Sequence, residues 1–147
     1  MSNALTAGRL FDRIQASFVR QGLMQHLGAR LVSVAPGVCE FALPYSDHVT
    51  QQQGGFHGGA MGALADIAGG YAALTVAAAD AEVTTVEYKI NFLAAFKGGE
   101  LRARGRVLRG GKRVIVASVE VVHRAADGKE QLCAVMQTTL VPVTKTY

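Results

Sequence analysis

The 147-residue sequence has no tryptophan, only two cysteines and only three prolines, and aromatic residues make up 7% of it. Cys39 and Cys133 lie far apart and form no CxxC pair, which argues against a structural zinc site and favours a reducing compartment. The net charge is +4, but a nucleic-acid-binding protein usually combines a dense basic patch with interleaved aromatic residues. Small anionic ligands or an ordinary solvated surface explain the charge equally well.

The sequence also lacks internal repeats, low-complexity tracts and a proline-rich linker, so a single domain is expected over residues 1–147. Near the N-terminus, Arg9, Asp12 and Arg13 interrupt the apolar run that a signal peptide requires. We interpret this segment as the start of a mature cytosolic protein. A cytoplasmic location without a membrane partner is therefore expected.

The longest apolar stretch, at 60–79, does not have the composition of a membrane span. It is mostly alanine and glycine, and Asp66 near its middle would cost about 2.5 to 3.5 kcal/mol on insertion scales. A helix that is apolar on nearly every side must then be buried in protein. The stretch predicts a central core helix, and the spacing of apolar residues near the N-terminus predicts another helix at about 6–20.

The remaining sequence predicts strands. Two short strands at 27–34 and 38–43 flank the turn signal Pro36-Gly37. Alternating apolar and polar residues follow at 85–92, 101–107, 114–122 and 132–143, with hairpin turns at Gly110-Gly111 and Asp127-Gly128. We expect an α+β fold in which an antiparallel sheet of about five or six strands wraps around the long central helix.

The tripeptide His57-Gly58-Gly59 stands directly before the predicted core helix. Backbone N–H groups in the first turn of a helix have no partners within the helix, and the helix dipole adds partial positive charge there. Because glycines leave room for a ligand, this end of the helix can bind an anion or a carbonyl oxygen that develops negative charge. A flexible helix entry, with His57 as a simple cap, is the alternative interpretation.

Asp66 is a carboxylate within an alanine- and glycine-rich helix, where burial is costly unless the group is paired or functional. At helical spacing it shares a stripe with Gly62, Gly69 and Gly70, which predicts the close approach of another backbone or of a ligand. Gly58 lies about 12 Å from Asp66 along the helix axis. One helix cannot bring both to the same bond, whereas two antiparallel copies in a two-fold dimer form two shared sites.

The pattern Gln51-x5-His57-Gly58-Gly59-x6-Asp66, followed by TTVEYKINFLAAFKGG and RGGKR, resembles the hotdog-fold acyl-CoA thioesterases. Within the 4-hydroxybenzoyl-CoA thioesterase superfamily, it most resembles the phenylacetate-degradation, or PaaI-like, branch. The resemblance covers about residues 27–145. It implies hydrolysis of an acyl-CoA thioester to free acid and coenzyme A, with no cofactor or metal, by a homodimer that often associates into a dimer of dimers.

The resemblance also implies roles for the residues of this pattern. The Gly58 N–H donates to the thioester carbonyl, and His57 steadies the loop that carries it. Asp66 acts as general base or as nucleophile, and Gln51 orients the attacking water or the carbonyl. Relatives with glutamine in this loop more often carry glutamate on the helix. This chain combines Gln51 with an aspartate, Asp66, and the combination leaves both roles of Asp66 open.

Further residues follow from the same resemblance. A threonine hydroxyl positions the water, and the register admits Thr85 or, one residue earlier, Thr84. Lys112 and Arg113 lie in a turn that the family places near the phosphates of coenzyme A. The other candidate substrate-binding residues are Gly59, Phe56 and Met61, although core packing explains the two larger side chains equally well.

The remaining charged and titratable residues have ordinary interpretations. Arg102, Arg104 and Arg106 form a stripe on one strand that predicts a solvated sheet face. His26, His48 and His123 have no partners at metal-ligand spacing and are expected at the surface or in loops. The two cysteines fall in strand patterns and are expected to behave as small core hydrophobes.

Two other functions of this fold fit the sequence less well. A hydratase acting on enoyl-CoA would show an aspartate and a histidine a few residues apart, but no histidine follows Asp66 in the helix. An acyl-CoA sensor would need a DNA-binding extension, for which the roughly 26 residues before the first strand are too few. Hydrolysis of acyl-CoA is the predicted function, with a non-hydrolysing acyl-CoA-binding protein as the alternative.

Overall fold

Six strands form one antiparallel sheet around a central helix in a computed structural model, which describes residues 7–147. The helices are α1 (Ala7–Phe18), α2 (Gly22–Leu27) and α3 (Gly58–Leu74), with one short 3-10 turn at Asp47–Val49. The strands are β1 (Arg30–Ala35), β2 (Val38–Pro44), β3 (Ala81–Phe92), β4 (Glu100–Gly110), β5 (Ile115–Arg124) and β6 (Glu130–Thr144). This architecture confirms the predicted α+β fold.

The strand order is β1-β2-β4-β5-β6-β3, so the order in space departs from the order in sequence. The turns predicted at Gly110-Gly111 and Asp127-Gly128 do join β4 to β5 and β5 to β6. β3 instead pairs with β6 at the far edge of the sheet. Local periodicity identifies β3 as a strand but carries no information about this non-local pairing.

The N-terminal region differs from the prediction in two ways. α1 ends at Phe18, and residue 6 of the expected helix lies outside the described residues. The segment predicted to begin a strand at residue 27 instead ends the short helix α2, and β1 begins only at Arg30. Gly28 adopts a left-handed conformation, with φ 80°, and its N–H caps α2, so the helix stops there.

The core lies between α3 and the concave face of the sheet, where most residues of α3 are buried. The helix packs tightly against Gly105 of β4, where an added Cβ would lie 2.2 Å from the carbonyl oxygen of Ala68. A Cβ on Gly69 would likewise lie 2.7 Å from the Thr138 methyl group. Part of the predicted glycine stripe is therefore explained by packing of the helix against its own sheet.

Charged residues on the convex face form a ladder across neighbouring strands. Arg102 bonds Glu100 at 2.6 Å and Glu40 at 3.1 Å, while Arg104 bonds Glu130 at 2.7 Å. The prediction of a solvated arginine face is wrong for Arg102, whose side chain is only 12% exposed. Within the described part of the chain, no helix combines the length and apolar character needed to cross a membrane.

Candidate active site

The N-terminus of α3 is capped by the residue that precedes it. The Nδ1 atom of His57 accepts a hydrogen bond from the Gly59 N–H at 2.7 Å, and the His57 N–H donates to the carbonyl of Val49 at 2.7 Å. His57 therefore caps the helix and ties it to the preceding loop. The bond to His57 Nδ1 engages the Gly59 N–H, whereas the Gly58 N–H, at the first position of the helix, is free of the cap.

The loop that carries Gln51 is a closed turn. The backbone N–H of Gln51 donates to the Gly55 carbonyl at 2.9 Å, and its side-chain Oε1 accepts from the Gln53 N–H. The Tyr45 hydroxyl donates to the Gly54 carbonyl at 2.6 Å, at a glycine whose φ of 85° suits the turn. These bonds hold Gln51 close to the start of α3.

Asp66 lies on the side of α3 that faces β3. Its Oδ1 atom accepts a hydrogen bond from the Thr85 hydroxyl at 2.8 Å. Burial raises the pKa of the Asp66 carboxyl above its usual value, and the bond from Thr85 partly offsets this by stabilising the charged form. Thr85, rather than Thr84, is the threonine that contacts Asp66.

Asp66 opens into a cavity of about 530 Å³ between α1, α3 and the first half of β3. The carboxylate, Thr84 and Thr85 line one part of it, and Tyr71 lines another. The apolar lining consists of Ile67, Gly70, Leu74, Val83 and Leu140. A titratable group with a raised pKa in a partly apolar cavity is a common feature of active sites.

The cleft between α3 and β3 is closed on the side of Asp66 that lies toward the N-terminus of α3. The two elements run antiparallel, so Gly62 faces Tyr88 and Gly58 faces Phe92. A Cβ on Gly58 would lie 3.2 Å from the Phe92 ring, and one on Gly62 would lie 3.7 Å from the Tyr88 hydroxyl. Aromatic side chains of β3 thus cover the helix between its N-terminus and Asp66.

Within one chain the predicted site residues form two separate groups. Asp66 and Thr85 are in contact, whereas Gly58 starts the helix eight residues earlier, about 12 Å away along the axis. Gln51 and His57 lie with Gly58 and do not line the cavity beside Asp66.

The predicted substrate-binding residues are more dispersed. Phe56 and Met61 are 3% and 5% exposed and pack in the core, and neither lines the Asp66 cavity. Lys112 and Arg113 are exposed at the turn between β4 and β5. The neighbouring Gly110 lies close to Val76, just beyond the C-terminal end of α3.

Two sets of titratable residues lie outside this site. His123 is buried, not exposed as predicted, because it stacks on Phe96 with ring centroids 4.3 Å apart and its Nε2 atom bonds the Gly98 carbonyl at 2.9 Å. Cys39 and Cys133 are fully buried, as expected for core residues, and burial raises their pKa values to about 12 and about 11.

Sequence reasoning missed the part of the cavity that α1 contributes. Ser17 and Gln21, at and beyond the end of α1, both bond the Tyr71 hydroxyl, at 3.1 and 2.9 Å. These residues are at least 50 positions from Tyr71 in the sequence. No local pattern links them, although a tyrosine in an alanine-rich helix is a weak signal that a polar partner is near.

Comparisons with known proteins identify the family. A model of the thioesterase superfamily matches residues 53–128, which include α3 and the strands β3, β4 and β5. A protein of Saccharolobus solfataricus named "Putative esterase SSO2140" is 39% identical over 107 residues, covering 73% of this chain and 74% of its own. The helix start, Asp66 and Thr85 all lie within the segment matched by the family model.

Solved structures share the fold over nearly the whole chain. A thioesterase family protein from Silicibacter pomeroyi is 35% identical, with a TM-score of 0.88 over 92% of this chain and 99% of that one. The PaaI protein from the phenylacetic acid degradation operon of E. coli is 21% identical and shares the fold, with a TM-score of 0.82 over 95% and 97% of the two chains. This chain therefore belongs to the thioesterase superfamily, as a hotdog-fold hydrolase of thioesters.

Proposed function

We propose that the protein hydrolyses an acyl-CoA thioester to the free acid and coenzyme A, at sites that two subunits share. This proposal rests on the half-buried carboxylate of Asp66, which the Thr85 hydroxyl holds at 2.8 Å beside a partly apolar cavity. A carboxylate whose pKa is raised by desolvation is a better base than an exposed one. The apolar lining of the cavity can accommodate an acyl chain, with the thioester carbonyl at the end of that chain close to the Asp66 carboxylate.

The chemistry needs a base and a donor at the same carbonyl. Water adds to the thioester carbon while Asp66 takes its proton, and the oxyanion that forms accepts a hydrogen bond from a Gly58 N–H. The C–S bond then breaks, and the thiolate of coenzyme A leaves and takes up a proton. Direct attack by Asp66, through a mixed anhydride that water hydrolyses, uses the same two groups.

The separation of about 12 Å between these groups in one chain favours a site completed by a second copy. β3 forms an edge of the sheet, and its surface carries the exposed apolar residues Val86, Tyr88 and Phe92, followed by Leu93. Period-two patterning predicts that one face of β3 is buried. These four apolar side chains are nevertheless 45 to 56% exposed, which is consistent with a face that a partner covers. Pairing of two β3 edges about a two-fold axis would bring Gly58 of one copy toward Asp66 of the other.

A panel of acyl-CoA thioesters tests the function directly, with release of free thiol as the measurement. Turnover of at least one aliphatic or aryl acyl-CoA is expected. If every member binds but none releases its thiol, the protein is the non-hydrolysing acyl-CoA-binding alternative. Light scattering on the active protein tests the shared site, since an active monomer would contradict it.

The Thr85→Val variant should move the acid limb of the kcat/KM profile to higher pH. The Thr85 hydroxyl donates to the charged carboxylate and so lowers the pKa of Asp66, which means that its removal raises that pKa further. The variant therefore needs a higher pH than the wild type to ionise Asp66. Thr84→Val is the matched control, and an equal shift of the acid limb in both variants would show that Thr85 has no specific role.

Changing Lys112 and Arg113 together to alanine should raise KM for acyl-CoA and leave thioesters of short thiols unaffected. Both residues are exposed in the β4–β5 turn, where they can meet phosphates away from the reacting bond. Steady-state kinetics with an acyl-CoA and the matching thioester of a simple thiol measure the difference. Equal changes for both substrates would exclude a phosphate-binding role.

A further inference from the structure

The cavity beside Asp66 ends in a polar network. The Tyr71 hydroxyl lies 3.1 Å from the Ser17 hydroxyl and accepts from the Gln21 amide at 2.9 Å. The Tyr147 hydroxyl lies 2.9 Å from the Ser17 oxygen and also bonds Glu82. All five residues line the same cavity as Asp66.

The network lies at a defined distance from the carboxylate. Tyr71 follows Asp66 by five residues, or about 7.5 Å along α3. Glu82 precedes Thr85 by three residues on the antiparallel β3, or about 10 Å along the strand. Between these polar ends the lining includes the apolar side chains of Ile67 and Val83 together with Thr84. The cavity thus has a carboxylate end, a largely apolar middle and a polar end.

The hydrogen atoms of the network can be assigned from its chemistry. Tyr147 has a single O–H, and the charged carboxylate of Glu82 is a stronger acceptor than a hydroxyl, so Tyr147 donates to Glu82. Ser17 then donates to Tyr147, and Tyr71 donates to Ser17. Burial raises the pKa of Tyr71, which keeps its O–H in place at neutral pH.

This order leaves specific hydrogen-bonding capacity at the end of the cavity. The Tyr71 oxygen accepts from Gln21 and keeps a second lone pair, while the Gln21 amide nitrogen carries a second hydrogen. A ligand hydroxyl satisfies both, since it donates to Tyr71 and accepts from Gln21. A terminal carboxylate has no proton to donate to the Tyr71 lone pair. Its charge would meet both Glu82 and Arg20, whose guanidinium lies 4.4 Å over the Tyr147 ring and also lines the cavity.

From this geometry we infer that the protein selects acyl groups whose far end carries a hydroxyl, recognised by Tyr71 and Gln21. The inference rests on the proposed function. Gln21, Ser17 and Tyr147 lie outside residues 53–128, the segment that matches the family model.

The test compares hexanoyl-CoA with ω-hydroxyhexanoyl-CoA, two substrates that differ only at the far end. The wild type is expected to favour the hydroxylated substrate about tenfold in kcat/KM, the effect of one well-formed hydrogen bond. Tyr71→Phe, which keeps the ring, and Gln21→Leu should each bring the ratio close to one while hydrolysis of hexanoyl-CoA continues. A wild-type ratio of one, or a ratio unchanged in both variants, would overturn the inference.

A matched control separates recognition from a structural role of the network. The Arg13 side chain anchors α1 through the Ala78 carbonyl at 2.9 Å and does not line the cavity. Arg13→Met loosens α1 without removing a recognition group and should keep the tenfold ratio. If it loses the ratio as Tyr71→Phe does, the network only holds α1 in place.

Calorimetry of the free acids gives an answer that does not depend on hydrolysis. ω-Hydroxyhexanoate should bind the wild type more tightly than hexanoate, and the difference should vanish in Tyr71→Phe. If no thioester is hydrolysed but this difference is found, the proposed function fails and the recognition site stands. If thioesters are hydrolysed but neither assay shows a preference for the hydroxylated compound, the proposed function stands and the recognition site is rejected.

Discussion

Asp66→Asn is expected to lower kcat by about 10²- to 10⁴-fold, the range for loss of a general base. Asparagine keeps the shape of the side chain and can still accept from Thr85, so folding and acyl-CoA binding should persist. The expectation holds whether Asp66 activates water or attacks directly. Thiol release under saturating substrate measures it, and near-normal turnover in a folded variant would contradict the proposed mechanism.

Thermal unfolding of the same variant gives an independent check. Because the pKa of Asp66 is raised in the folded state, the ionised carboxylate is less stable there than in the unfolded chain. Its contribution to the free energy of unfolding therefore declines as pH rises through that pKa. At neutral pH, Asp66→Asn should unfold at a higher temperature than the wild type, and a clear loss of stability would identify Asp66 as a structural carboxylate.

Gly58→Pro should lower kcat by about 10²- to 10³-fold, because proline removes the N–H that we assign to the oxyanion. Proline is well tolerated at the first position of a helix, and His57 already has the extended backbone, with ψ 136°, that a residue before proline adopts. Gly58→Ala keeps the N–H and is the control for the added carbon beside Phe92. Similar losses in both variants would show that crowding, not the missing donor, is responsible.

Mixing the two inactive variants tests whether the site is shared. In a dimer of one Asp66→Asn chain and one Gly58→Pro chain, one site carries both changes and the other carries neither. Unfolding and refolding an equal mixture should restore about a quarter of the wild-type activity, since half the dimers are mixed and each has one intact site. No recovery in verified mixed dimers would place the whole site within one chain.

The central helix and most strands could be predicted because their signals are local. The alanine-rich composition around Asp66 predicts a buried helix, and the observed Gly58–Leu74 helix agrees with this in type though it ends earlier than residue 79. α2 was missed because its six residues are too short for helical periodicity to show. The pairing of β3 with β6 was not predictable from local patterns.

The same distinction applies to the site. The helix start and Asp66 were recognisable because they lie in one short motif, and the contact with Thr85 needed only a choice between two neighbours. The burial of His123 depends on Phe96 and Gly98 from another loop, and the Tyr71 network depends on α1 and the C-terminal residue. Hydrophobic periodicity is a local pattern, so it does not predict contacts between residues this far apart in the sequence.

The close contact of Gly105 with Ala68 links a remote strand position to the geometry of the proposed site. Ala68 is two residues beyond Asp66 on the same rigid helix, so the height at which the helix rests on β4 also sets how far the carboxylate stands from β3. Any side chain at position 105 would lift the helix at this point. Misplacing a catalytic group by about 1 Å can cost 10²-fold in rate, so under the proposed mechanism Gly105 constrains turnover from the opposite side of the helix, without contact with substrate.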